Sequence, residues 1–237
     1  HEIASHGYSH EVNDAFDILP LEKQKGQILK TKNLLEDISG QEVISFRAPA
    51  GRVNRNTAIA LSESGMKIDS SVSSQRFDLF LSFGNIKKLK WLMAPRLPYF
   101  TQFDNLCKSG YGNIFEIPVS ALIVPYIGTT LRIAPRLTRF IRKLLCAESS
   151  INQKPIVFLT HPNEFIHEVM ENNKATRRSN NIFSYILGDI LRHRLKIKNI
   201  GLKGLYIYEQ EINFFSKNKY RFLTCKENNC GRLSNVL

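Results

Sequence analysis

His6 and His10 stand four residues apart in the opening stretch His1-Glu2-Ile3-Ala4-Ser5-His6-Gly7-Tyr8-Ser9-His10, which holds three of the chain's six histidines. Neutral imidazole is the commonest protein ligand for a borderline divalent cation, and a four-residue spacing lets a tight loop or one helical turn aim two rings at one ion. The helical metalloprotease arrangement is excluded, because no Glu follows the first histidine and Gly7 is a poor helix former. A loop holding one Zn²⁺-class ion is the expectation, and two unrelated surface histidines are the plain alternative. Farther along, Arg47, Asp69, Glu116 and His161 each follow or close a short apolar run. A parallel α/β sheet gathers its functional side chains at the carboxyl ends of such strands. Each residue also has an ordinary reading: surface cation, turn or cap residue, rim ion-pair partner, satisfied histidine.

The elements that must position these residues follow from periodicity. Leu19 to Ile38 carries apolar residues at Leu21, Ile28, Leu34, Leu35 and Ile38, with Gly40 where a helix cap belongs. Val43 to Phe46 is a β-branched and aromatic run that ends at Arg47-Ala48-Pro49-Ala50-Gly51, so a strand empties into a loop there. A helix is predicted over Asn54 to Ser64, capped by Asn54 and ended by Gly65, before a strand over Met66 to Ile68 that delivers Asp69-Ser70-Ser71. Residues 76 to 113 suggest strands or a covering hairpin around Leu79, Leu81, Phe83 and Trp91-Leu92-Met93. Asn113 to Val119 reads as a strand, Pro135 to Cys146 as a helix, and Pro155 to Thr160 as a buried strand delivering His161-Pro162. Helix over Asn181 to Arg194, strand over Gly204 to Ile207, helix over Glu209 to Ser216 and strand over Tyr220 to Thr224 complete the pattern. Strands alternating with helices predict an α/β fold with a parallel sheet, as one domain over residues 1–237.

Composition restricts the partners. The chain has 33 Lys and Arg against 21 Asp and Glu, a net charge of +12, which favours anionic partners. The positive charge is spread along the chain without a long basic block, zinc-finger spacing or RNA-binding aromatic signature, so it reads as a solvated surface and nucleic acid is not expected. Cys107, Cys146, Cys225 and Cys230 are too few and scattered for a disulfide scaffold, and Cys225-x4-Cys230 lacks the second half of a zinc ribbon. No apolar run reaches the length of a membrane span. The first residue is His rather than Met, so residence in the cytoplasm or at the cell envelope is left open.

Taken together and in order, His6-Gly7-Tyr8-Ser9-His10, Phe46-Arg47-Ala48-Pro49-Ala50-Gly51, Asp69-Ser70-Ser71 and Leu159-Thr160-His161-Pro162 resemble the successive motifs of the polysaccharide deacetylases, the NodB homology domain of carbohydrate esterase family 4. Glu116-Ile117-Pro118-Val119-Ser120 and His161-Pro162-Asn163-Glu164 are similar to the branch found in exopolysaccharide gene clusters. The resemblance implies a distorted (β/α) barrel and metal-assisted removal of N-acetyl groups from a polysaccharide or oligosaccharide. By that likeness His6 and His10 correspond to metal ligands, Arg47 to the arginine orienting the catalytic carboxylate, His161 to the general acid and Asp69 to the acid supporting it. Pro49 and Glu116 are expected on the substrate side. Gly7 departs from the Ser or Thr frequent after the family's first metal histidine. The family's first motif, a strand ending in Asp-Asp, supplies the third ligand and the general base and has no counterpart in residues 1–237. The expectation is therefore a chain truncated before that motif, lacking its first strand and inactive and poorly folded by itself.

These residue types suit amide hydrolysis. A three-ligand metal site leaves positions for water and the acetamide oxygen, and C–N cleavage needs a proton delivered to the amine, which an imidazolium with a pKa near neutrality can supply. The alternative is a non-catalytic basic barrel that binds glycan or nucleic acid. Such a module has no use for two histidines together with Arg47 and His161.

Overall fold

The computed structural model describes residues 1–76, 86–166, 195 and 198–233. Its centre is a five-stranded mixed sheet in the order β1-β2-β5-β3-β4. The strands are β1 (Ser45–Phe46), β2 (Ile68–Asp69), β3 (Tyr99–Gln102), β4 (Asn105–Ser109) and β5 (Phe115–Glu116). β1, β2 and β5 are parallel, with Phe46 opposite Asp69 and Asp69 opposite Glu116, whereas β3 runs antiparallel to both β5 and β4. The histidine segment extends the sheet beyond β1: Ser5 N–H donates to Ser45 O at 2.9 Å, and Arg47 N–H donates to Ser5 O at 3.0 Å.

The helix expected from Leu19 is α1 (Leu21–Ser39), and Gly40 ends it at φ 65°, donating its N–H to Glu36 O. α2 (Arg55–Glu63) starts at Asn54, whose side chain accepts from Thr57 N–H while Thr57 Oγ1 accepts from Asn54 N–H. That reciprocal cap satisfies two donors a helix start otherwise leaves unpaired. Phe16, Ile28, Phe46, Leu61 and Trp91 fill one layer between sheet and helices. Ile44, Ile68, Phe115 and Ile117 fill the opposite face with Val157 and Cys225. A third cluster joins Tyr126, Ile141, Leu145 and Phe215 across α4 (Pro135–Asn152) and α5 (Leu202–Lys217), beside the short α3 (Gly128–Ile133).

Several expectations change. The α/β class stands, but a barrel is not seen: both edges of β5 are taken, by β2 and by antiparallel β3, and Pro118 brings no N–H to extend a ladder. The sheet among the described residues is therefore open. Residues 155–160 form no strand; they attach through Ser120 N–H to Val157 O at 3.1 Å and Gly128 N–H to Leu159 O at 2.7 Å. The covering hairpin exists as β3 and β4, followed by a small hairpin of β6 (Ala121–Leu122) and β7 (Val124–Pro125), but Trp91-Leu92-Met93 lies in a 3-10 segment, Ile86–Met93. The strand expected over Gly204 to Ile207 belongs to α5, because its residues continue the helical spacing of Phe214 and Phe215. Tyr220 to Thr224 forms no strand and leads into α6 (Cys225–Leu233). Leu79, Leu81, Phe83 and the helix over Asn181 to Arg194 lie outside the described residues. Among the described residues, Cys107, Cys146 and Cys225 are free thiols, and no helix is long and apolar enough to cross a membrane.

Candidate active site

Gly7 explains how His6 and His10 come to share one loop. Its φ of +78° reverses the chain, and a Cβ there would sit 3.1 Å from Phe16 Cε2 and 3.3 Å from Pro49 Cγ. Ser or Thr at this position would meet both the backbone penalty and the two rings. The turn places the imidazoles of His6 and His10 with centroids 4.9 Å apart, tilted by 53°. His6 Nδ1 lies 2.7 Å from Arg47 O, so Nδ1–H donates to that carbonyl and the lone pair belongs to Nε2. Holding one ring nitrogen on a carbonyl is how proteins orient a metal-binding histidine. Burial lowers the His6 pKa, the hydrogen bond to Arg47 opposes this, and the nearby charges of His10, His161 and Arg47 lower it further. The neutral form that a cation requires is thereby favoured.

Arg47 leaves the end of β1 and crosses to the next strand. Its Nε donates to Ser70 O at 2.8 Å and its Nη2 to Ser70 Oγ at 2.6 Å, while Ser70 Oγ–H donates to Ile117 O at 2.6 Å. One serine thus ties the three parallel strands together under the guanidinium. Ser71 Oγ–H donates to Asp69 Oδ1 at 2.6 Å and accepts from Ala48 N–H at 2.8 Å, fixing the backbone next to Arg47. Burial pushes the Arg47 pKa down, opposed by the nearby acidic groups Cys225, Asp69 and Glu116.

Beneath this surface lies a fully buried carboxyl pair. Asp69 and Glu116 occupy opposed positions on β2 and β5, both at 0% exposure. Glu116 Oε1 accepts from Val72 N–H at 3.0 Å. Burial first, and the Asp69 charge second, raise Glu116 well above the usual carboxylate range; burial raises Asp69 as well. Two such groups resist ionising together, which favours the protonated form of Glu116 beside Asp69.

His10, His161 and Arg47 lie near enough for their charges to act on the His6 imidazole, and His161 is exposed where the 155–160 segment ends. Three expected roles move. Among the described residues, Asp69 makes no hydrogen bond to His161; its bonds serve Ser71, Glu116 and the Arg47 loop, because it lies under the sheet end rather than beside the exposed imidazole. Glu116 is wholly buried and has no surface to offer a substrate. Pro49 is buried and packs against the Gly7 turn, forming the back of the histidine loop. Asp17, near the histidines in sequence, is paired with Arg52 at 2.7 Å. Two imidazoles with one nitrogen already oriented fit a Zn²⁺-class cation as part of a ligand set; among the described residues no group of three or more His, Cys, Asp or Glu completes it.

Sequence reasoning overlooked Gln24, wholly buried in α1. Its Nε2 donates to Phe16 O and Leu19 O at 2.8 Å each and to Asn54 Oδ1 at 3.1 Å, locking the chain after His10 against the start of α2. A glutamine in a helix rich in Lys and Glu looks like any solvated residue, so no local signal marks it.

Comparison with known proteins bears on this site. Residues 1–68 match the polysaccharide deacetylase family model. The peptidoglycan deacetylase-like protein FGM2 of Gibberella zeae is 35% identical over 81 residues, which cover 33% of this chain and 22% of that protein. The chain thus spans about a fifth of the length of the curated relative it matches. Among solved structures, a Mycobacterium smegmatis protein assigned to the polysaccharide deacetylases is 23% identical, covering 68% of this chain and 50% of its own, with a TM-score of 0.44. The 4-alpha-glucanotransferase of Thermococcus litoralis is 20% identical, covering 69% and 22%, with a TM-score of 0.41.

Proposed function

A relative of the polysaccharide deacetylases through residues 1–68, this chain is, we propose, the site-bearing part of a metal-dependent hydrolase that removes N-acetyl groups from a polysaccharide or oligosaccharide. The observation that carries the reading is the His6 geometry: Nδ1 fixed on Arg47 O, Nε2 left for a ligand, and the His10 ring 4.9 Å away. His6 and His10 would hold the cation, which when bound supplies an acidified water and a positive charge facing the oxyanion. His161, exposed nearby, donates a proton to the departing amine nitrogen, so that acetate and a free amino sugar leave. Arg47, locked on Ser70, would orient the catalytic carboxylate that the family's first motif supplies, and Asp69, through Ser71, holds the Arg47 loop in place. The exposed rim suits an extended glycan, and the exopolysaccharide-type stretch at residues 161–164 suggests one of that class.

The test measures metal content and acetate release from an N-acetylated chito-oligosaccharide, using the full-length protein. His6→Ala and His10→Ala are each expected to lose most of the bound Zn²⁺ and the activity. Unchanged metal content in both variants sinks the ligand assignment, and absence of acetate release from the metal-loaded parent sinks the deacetylase reading.

A further inference from the structure

His161 is carried by a segment with little sheet to hold it. Residues 155–160 touch their neighbours at separate points, and the chain then turns at once through the 3-10 turn Pro162–Glu164, closed by Glu164 N–H to His161 O at 3.0 Å. What anchors this turn is the side chain of Glu164, which points inward and leaves the residue 5% exposed. Its Oε1 accepts from Thr129 Oγ1 at 2.6 Å and from Arg132 Nη2 at 3.0 Å. Arg132, 4% exposed, is itself held: Nη1 donates to Lys198 O at 2.6 Å, and Asn199 Nδ2 donates to Arg132 O at 2.8 Å. Glu164 O accepts from Gly201 N–H at 3.0 Å, closing the socket from the other side.

The fit depends on residue 128. A Cβ on Gly128 would lie 2.1 Å from Glu164 Oε2, so only glycine leaves space for the carboxylate. The same glycine donates its N–H to Leu159 O, two residues before His161. Burying a carboxylate and a guanidinium is expensive in desolvation and gives little net stability over apolar packing, whereas it fixes geometry because neither ion tolerates losing its partner. Here the fixed point lies three residues from the imidazole, across a turn that has its own closing hydrogen bond.

We propose that Glu164, held by Arg132 and Thr129 in the socket opened by Gly128, is a positioning residue that sets the direction of the His161 imidazole toward His6 and His10. The role of His161 as proton donor rests on the deacetylase reading; the control of its orientation does not.

The full-length protein is examined in parallel by NMR of the His161 ring resonance, assigned with His161→Gln, and by acetate release from an N-acetylated chito-oligosaccharide. Glu164→Gln and Gly128→Ala are expected to shift and broaden the His161 signal and to lower kcat about 10-fold with KM within about twofold, since misplacing a reacting group by an ångström is enough to cost that much. Thr129→Val removes one bond and keeps the ion pair, so it gives a smaller shift of the same sign. Glu211→Gln breaks another buried ion pair, Arg142 with Glu211 between α4 and α5, and serves as the structural control, expected to shift the His161 signal much less than Glu164→Gln. An unmoved His161 resonance in folded Glu164→Gln, or an equal shift in Glu211→Gln, overturns the proposal. If the first two variants do not fold, an unmoved signal in Thr129→Val overturns it. A parent protein that releases no acetate sinks the deacetylase reading alone, because the resonance comparison needs no turnover.

Discussion

The two sides of the candidate site are built by different means. His6 and His10 sit on a segment joined to the sheet by backbone bonds at Ser5, in a turn shaped by Gly7, with Arg47 cross-tied through Ser70 to β2 and to Ile117 just beyond β5. His161 sits on a segment outside the sheet, located by scattered hydrogen bonds, by Phe158 packed against Tyr126 and Tyr208, and by the Arg132 and Glu164 ion pair. The first side is positioned by the ladder itself, whose geometry is repeated in every strand. The second is positioned largely by side chains, among them two charged ones 32 residues apart. A segment held by a buried ion pair depends on each partner, because removing one leaves an uncompensated buried charge.

The largest effect that separates the two sides is expected at His161. His161→Ala retains bound Zn²⁺ and loses on the order of 10²-fold or more in acetate release, the usual range for a lost general acid. Metal loss in that variant would instead make His161 part of the ligand side, and the two regions would merge into one. Arg47→Lys tests the same boundary from the ladder side, since a single ammonium cannot reproduce the two bonds to Ser70 O and Oγ; activity falls while metal content stays.

Gly7→Ala sharpens the comparison through stability. A left-handed residue with a Cβ, set against Phe16 at 3.1 Å, costs about 1–2 kcal/mol, read as a lowered midpoint in urea unfolding with an unchanged slope. An unchanged midpoint would mean the turn relaxes and does not fix the histidines.

The smallest effect concerns the support under Arg47 and depends on pH. Glu116 has a folded pKa raised by burial and by Asp69, so the folded state binds more protons than the unfolded state above the ordinary carboxylate value of 4.5. Its contribution to stability is complete below that value and is lost as pH rises through the folded pKa. Glu116→Gln keeps the shape, donates to Asp69 and accepts from Val72 N–H without titrating. Its thermal midpoint should match the parent near pH 4 and exceed it at pH 8; a parent as stable as the variant at pH 8 would show that the pair carries no shared proton.

The sequence by itself determined the pieces whose signals are local. α1 with its Gly40 cap, α2 with its Asn54 and Thr57 cap, and the turn at His6 to His10 rest on residues within four positions of one another, and propensity and spacing are sufficient to specify them. Strand-end positions are also legible for Arg47 and Asp69, which follow β1 and close β2. Tertiary structure alone decided what those residues touch. The apolar run Pro155 to Thr160 reads as a strand, yet a strand exists only if a neighbour offers a free edge, and β3 and β2 had already occupied both sides of β5. Asp69 and Glu116 are ordinary acids in sequence; their raised pKa values arise because β2 and β5 align them in register and the layers above and below exclude water. Arg132 and Glu164 likewise look like two surface charges, and only the fold, by closing Gly128 and Thr129 around the carboxylate, turns them into the anchor of the His161 turn. Local geometry is written in neighbouring residues, whereas burial and charge pairing depend on which distant segments meet.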